Sequence, residues 1–299
     1  MMKSVSTQIH ADVVHRHGFL GEGICIAFLD TGLYPHKDFS PFEERIVEFV
    51  DFVNYKNSCY DDNGHGTHIT GIAASGCPME KDYLGIAPKS KIISIKVLDA
   101  AGNGILSSFI RGLCWIHENH KKYNIRIVNI SIGTAATDTD EDSNELLIQV
   151  NQLWDDGLIV CIAGGNHGPD PQSISVPGNS RKIITVGSGD DSMRIIGNYR
   201  FSSNYSGRGP TKSCIMKPDV VAPGTNILSC ALNDRYTVKS GTSMATPVVS
   251  GSMALLLQKY PYYTNKNAKL KLKYNCDKLK TPRRHQGWGQ INPQKLLDL

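Results

Sequence analysis

The stretch GICIAFLDTG, residues 23–32, decides the fold. Ile24 to Leu29 are apolar at every position rather than at every second one, and the run stops at an aspartate followed by a Thr-Gly turn. A strand that is apolar throughout buries both of its faces, which is the signature of a parallel sheet covered by helices on both sides. Four further runs read the same way: KIISIKVLD (91–99), IRIVNISIG (125–133), LIVCIAGG (158–165) and KIITVGS (182–188). Helical patterns separate them. GTHITGIAAS (66–75) is a small-residue helix, a second runs from Ile105 to about Lys121, and SNELLIQVNQLWDDG (143–157) is a third. TSMATPVVSGSMALLLQKY (242–260) is long, very apolar and expected at the centre. Strands alternating with helices predict an α/β fold, a three-layer α/β/α sandwich with a mainly parallel central sheet.

Bulk properties narrow the function classes. The 299 residues hold 32 Lys and Arg against 28 Asp and Glu, a net charge of +4, too weak to imply a nucleic-acid partner by itself. The basic stretch KNAKLKLKYNCDKLKTPRRH (266–285) reads as the solvated face of a C-terminal helix. There is no apolar leader at the N-terminus and no run of about 18 apolar residues, so neither secretion nor a membrane partner is expected. The eight cysteines lack C-x-x-C spacing; Cys25 and Cys161 fall in strand runs and read as buried thiols of a cytoplasmic protein. We expect a short extension, residues 1–20, before a single domain, residues 21–299.

In parallel sheets, sites form at the carboxyl ends of strands, and polar oddities gather there. Asp30 closes the first strand; alone it is ordinary turn chemistry, and an aspartic protease would need a second carboxylate that no other DTG supplies. DDNGHGTHITG (61–71) sets His65 and His68 three apart. They could share a metal, yet nothing groups further ligands with them at ligand spacing. Asn166 ends a strand in the glycine-rich turn AGGNHG, either as a turn residue or as an amide donor. Ser243 opens the late helix, followed four residues on by Pro247, which removes a backbone donor and should kink that helix.

An acid, a histidine, an amide and a serine in that chain order resemble the subtilases, the subtilisin-like serine peptidases. The resemblance runs from about Gly21 to Leu297 on FLDTG (28–32), NGHGTHITGIAA (63–74), LGIAP (84–88), IKVLD (95–99), NISIG (129–133), AGGNHGP (163–169), KPDVVAPGTNI (217–227), GTSMATPVVSG (241–251) and GWGQIN (287–292). Within the family the chain looks most like the compact intracellular bacterial members of the AprX kind. The resemblance implies a serine endopeptidase acting on polypeptides, with Ser243 as nucleophile, His65 as general base, Asp30 as its orienting acid, and Asn166 with the Ser243 N–H as oxyanion hole. It makes His68 structural. It also implies that Gly102-Asn103-Gly104 and Ser131-Ile132-Gly133 flank the bound peptide, and that Ala163-Gly164-Gly165 walls the pocket before the cut, with Ser175 near its base. Such small linings suggest a large apolar side chain at that position.

Three departures from the family follow. About 22 residues before the first strand are too few for a folded prodomain. No cofactor is expected to be required, with calcium at Asp38 kept as an alternative: Asp38 matches a calcium-ligand position, but the loop opposite, within ASGCPMEKDYLGIAP (74–88), is rebuilt. The acidic run DTDEDSNE (138–145) reads as a solvated loop, and AGGN carries an extra glycine.

Overall fold

The computed structural model describes residues 5–40, 42–76, 84–133, 145–193 and 204–299. The loop opposite Asp38 (77–83) and most of the acidic run (138–144) lie outside the described residues.

Seven strands form one parallel sheet in the order β2-β3-β1-β4-β5-β6-β7. They are β1 (Cys25–Asp30), β2 (Ile46–Asp51), β3 (Lys91–Lys96), β4 (Ile125–Ile130), β5 (Ile159–Ala163), β6 (Ile184–Ser188) and β7 (Val220–Ala222). All residues of β1 and β5 are buried, as their unbroken apolar runs require. Register along β1 sets Asp30 opposite Lys96 of β3 and Leu29 opposite Ile130 of β4, so the ends of the three strands line up. Strands β8 (Ile227–Ala231) and β9 (Arg235–Lys239) make a separate antiparallel hairpin.

Helices complete the sandwich. The histidine helix (His65–Ala74) packs against the serine helix (Thr242–Lys259) and β8, and the serine helix lies along β4, β5 and β6. The helices Leu106–Asn119 and Glu145–Asp155 pack on each other and on β1 and β5 respectively. The serine helix is central as expected: from Thr242 to Leu257 every residue except Ser243 is buried.

Pro247 does not interrupt that helix, which is continuous through it. The carbonyl left without a partner by the missing N–H belongs to Ser243, four residues earlier. The Ser131 hydroxyl donates to that carbonyl at 3.0 Å. Asn129 donates in turn to the Ser131 hydroxyl at 2.9 Å, and Ser250 donates to Asn129 at 2.9 Å, closing a buried chain of donors between β4 and the helix.

The basic C-terminal stretch is only partly a solvated face. In the helix Asn265–Tyr274, Lys269 reaches inward: its ammonium donates to the carbonyls of Arg181, Lys182 and Ile183 and lies 3.7 Å from Asp219. Burial lowers its pKa to about 8. Cys25 and Cys161 are buried, and their surroundings push both thiols well up from their ordinary value.

Candidate active site

Asp30 and His65 meet because the histidine helix begins against the end of β1. A side-chain carbon at Gly66 would sit 2.2 Å from the Gly32 carbonyl oxygen, so only glycine permits the approach. There the His65 Nδ1 lies 2.7 Å from Asp30 Oδ1, with Asp30 2% exposed and the imidazole 22% exposed. The Thr31 N–H donates to the same Asp30 oxygen at 2.8 Å. One carboxylate is therefore held by its own turn and aims at one imidazole nitrogen.

Asp61, which the sequence reading did not single out, holds this junction together. Its Oδ1 accepts from the Thr31 hydroxyl and from the Asn63 and Gly64 N–H groups, and its Oδ2 from the N–H and hydroxyl of Thr67, all within 2.7–3.0 Å. The Thr31 hydroxyl accepts from the Gly66 N–H at 2.8 Å. Burial alone would raise the Asp61 pKa, but these donors outweigh it and hold the group below its ordinary value. Lys96 was missed as well. Fully buried, it donates to the Thr31 carbonyl (2.6 Å), the Leu98 carbonyl (2.8 Å) and the Asp62 carboxylate (2.6 Å). A lysine inside the apolar run IISIKVL was the available signal, since a buried ammonium needs acceptors built around it.

Ser243 sits in the first turn of the serine helix, whose N–H groups have no partners within the helix. Gly241 before it has a φ of 148°, a conformation that favours glycine. The Ser243 hydroxyl donates to the Ser131 carbonyl at 2.7 Å. Asn166 approaches from the end of β5; its Oδ1 accepts from the N–H (2.9 Å) and hydroxyl (3.1 Å) of Thr242. With its oxygen engaged, the amide has its NH2 as the donor left for the cleft. Thr242 is thus a third residue that the sequence reading passed over.

These groups border one cleft of about 910 Å³, lined by His65, Asn166 and Ser243 together with Gly102, Asn103, Gly104, Ser131, Ile132, Gly133, Ala163, Gly165 and Ser175. Gly164 is the named wall residue that does not line it: its N–H donates to Val186 and its carbonyl accepts from Ser175, which turns it behind the wall. A side-chain carbon at Gly165 would lie 1.9 Å from the Ser175 hydroxyl, so the two residues interlock. Leu98, Leu106, Phe109 and Leu146 add an apolar region.

His68 takes no part in the cleft. It is fully buried, with Nε2 3.2 Å from the Ile227 carbonyl and 3.1 Å from that of Thr237, and burial drives its pKa down to about 3. Asp38 is also buried, away from the cleft; its oxygens accept from Ser75 (2.7 Å) and Tyr236 (2.8 Å). No helix among the described residues is long and apolar enough to cross a membrane.

A carboxylate, an imidazole and a serine hydroxyl at the carboxyl ends of a parallel sheet, with an amide donor across the cleft, describe a serine-hydrolase type of site. The chain belongs to the subtilase family, which it matches over residues 21–289, and it is a serine endopeptidase. It is 39% identical to Serine protease AprX of Bacillus subtilis over 99% of this chain and 72% of that protein. It is 33% identical to Subtilisin Savinase of Lederbergia lenta over 96% of each. Against the Thermostable alkaline protease of Halalkalibacterium halodurans the identity is 32%, covering 92% of this chain and 68% of the relative.

Proposed function

We propose that Ser243 is the nucleophile of this endopeptidase, His65 its general base, and Asp30 the group that fixes the imidazole tautomer and stabilises the imidazolium. The observation that carries the reading is the 2.7 Å contact between His65 Nδ1 and Asp30 Oδ1 beside the one accessible hydroxyl of a buried helix. With Nδ1 engaged, Nε2 is the nitrogen left to take the Ser243 proton. That proton is held by the Ser131 carbonyl, the kind of acceptor an added substrate strand uses. A peptide N–H pairing there competes for the acceptor and releases the hydroxyl toward His65. Serine then attacks the peptide carbonyl, the imidazolium returns the proton to the leaving amine, and water repeats the sequence on the acyl-enzyme. The Asn166 NH2 and the Ser243 N–H receive the developing oxyanion.

Substrates are polypeptides in extended form, laid between residues 102–104 and 131–133. Gly133, Ala163, Gly165 and Ser175 leave room for a large apolar or aromatic side chain before the cut, and no carboxylate lines the cleft among the described residues. The free thiols of Cys25, Cys59, Cys114, Cys161, Cys214 and Cys276 suit a reducing, cytoplasmic setting.

A fluorophosphonate probe tests the chemistry. We expect it to label the wild-type chain and leave Ser243→Ala unlabelled; equal labelling of both would refute the assignment. A peptide library tests the pocket, and strict preference for Arg or Lys before the cut would overturn the apolar reading.

A further inference from the structure

We propose that His36, Asp38 and Cys230 form a buried site for a zinc-like divalent transition-metal ion, apart from the cleft. His36 and Asp38 flank and enter a short turn (Lys37–Phe39), whereas Cys230 comes from β8, 192 positions beyond Asp38. All three are fully buried, and their ligand atoms lie within 4.8 Å of one another.

One ligand atom from each residue converges on a common centre, close enough for a single ion to replace the weak hydrogen bonds that now join them. His36 Nδ1 and Asp38 Oδ1 are 3.7 Å apart, too far for a good hydrogen bond. The Cys230 thiol donates weakly to the other carboxylate oxygen, Oδ2, at 3.6 Å, and a single carboxylate oxygen lies within 4.8 Å of both other ligand atoms. Bonds of about 2.0–2.1 Å to nitrogen and oxygen and about 2.3 Å to sulfur, at tetrahedral angles, separate such donors by roughly 3.3–3.6 Å. His36 is also set up as a ligand. Its Nε2 lies 3.1 Å from the Arg235 carbonyl, an outer hydrogen bond that fixes the tautomer and turns the Nδ1 lone pair inward. The Asp38 N–H donates to that lone pair at 3.2 Å, a bond that a bound ion would displace. The Ser75 and Tyr236 hydroxyls donate to the two Asp38 oxygens at 2.7 and 2.8 Å and so orient the carboxylate from outside the ligand set.

Donor chemistry selects the ion. Among the described residues, one carboxylate with an imidazole and a thiol is a poor set for calcium, which takes six to eight oxygens, and a good one for zinc. A dication would offset the carboxylate and the thiolate that binding creates. The ion would tie the β8–β9 hairpin to the turn after β1 and, through Ser75, to the end of the histidine helix. Gly71 makes room for this contact, since a side-chain carbon there would fall 2.9 Å from the Cys230 sulfur.

The test uses the full chain carrying Ser243→Ala, which prevents self-digestion and makes the result independent of the proteolytic assignment. After chelator treatment it is titrated with Co2+, then Zn2+. We expect one cobalt per chain, a thiolate-to-cobalt charge-transfer band abolished by Zn2+, and a rise of several degrees in Tm. Adding Cys230→Ser should remove the band, and adding His36→Asn should weaken binding at least tenfold. In the chain with Cys230 intact, bound metal should protect that thiol from alkylation, a readout that does not rely on a folded variant. No band in the folded protein, a band that survives Cys230→Ser, or stabilisation by Ca2+ alone would overturn the proposal.

Discussion

The Ser131 hydroxyl donates to the Ser243 carbonyl, 3.0 Å away, which Pro247 leaves without its helical partner. The same Ser131 accepts the Ser243 hydroxyl on its own carbonyl. β4 and the first turn of the serine helix are therefore clasped at two points around the proposed nucleophile. Ser131→Ala should strand a buried carbonyl and cost about 1–3 kcal/mol. In a Pro247→Ala background an N–H is available again, and the same substitution should cost much less. Denaturant unfolding of the four proteins in this cycle measures the coupling, and strictly additive costs would contradict the account.

Asp61→Asn should damage both stability and turnover. Each carboxylate oxygen accepts from two or three donors, so an amide NH2 on either side faces donors with a donor. We expect a loss of about 3 kcal/mol in unfolding free energy and a kcat that falls more than KM rises. An unchanged kcat in folded protein would show that Asp61 does not position His65.

Removing the amide donor by Asn166→Ala should lower kcat by about 10²–10³-fold with little change in KM, since the donor meets charge that exists only in the transition state. Steady-state kinetics on one peptide substrate decide it; a change confined to KM would assign Asn166 to ground-state binding.

His68 predicts a pH dependence of stability. Burial holds its folded pKa at about 3 against 6.5 for the free imidazole. Below 6.5 the unfolded chain takes up a proton that the folded chain refuses. The contribution is whole above that pH and is lost as the pH falls toward 3, by up to about 1.4 kcal/mol per pH unit. Tm measured from neutral to mildly acid pH should fall more steeply for the wild type than for His68→Gln; parallel curves would refute this.

What could be read from the sequence depended on how each residue is satisfied. The strands at the sheet centre were legible because burial on both faces demands unbroken apolar runs, as in Cys25–Leu29 and Ile159–Ala163. The edge strand Ile46–Asp51 and the hairpin β8–β9 are only partly buried and carry mixed residues, so no periodicity marks them. Asp30, His65, Asn166 and Ser243 stood out as polar residues at strand and helix ends. Asp61 did not, because three of its five donors are backbone N–H groups, which leave no trace in residue identity, and Lys96 was overlooked although its place in an apolar run marked it. The gathering of His36, Asp38 and Cys230 was hidden by distance along the chain.

The division of labour around the cleft has a consequence for how this enzyme can diversify. The proposed proton-handling groups hang from β1, the histidine helix and one buried helix, and the proposed amide donor Asn166 closes off β5, whereas the walls at 102–104 and 173–177 are connecting segments. Exchange of those segments alters which side chains are admitted while the relay behind them keeps its footing. A change of diet thus requires rewriting two loops, and the reaction is inherited intact.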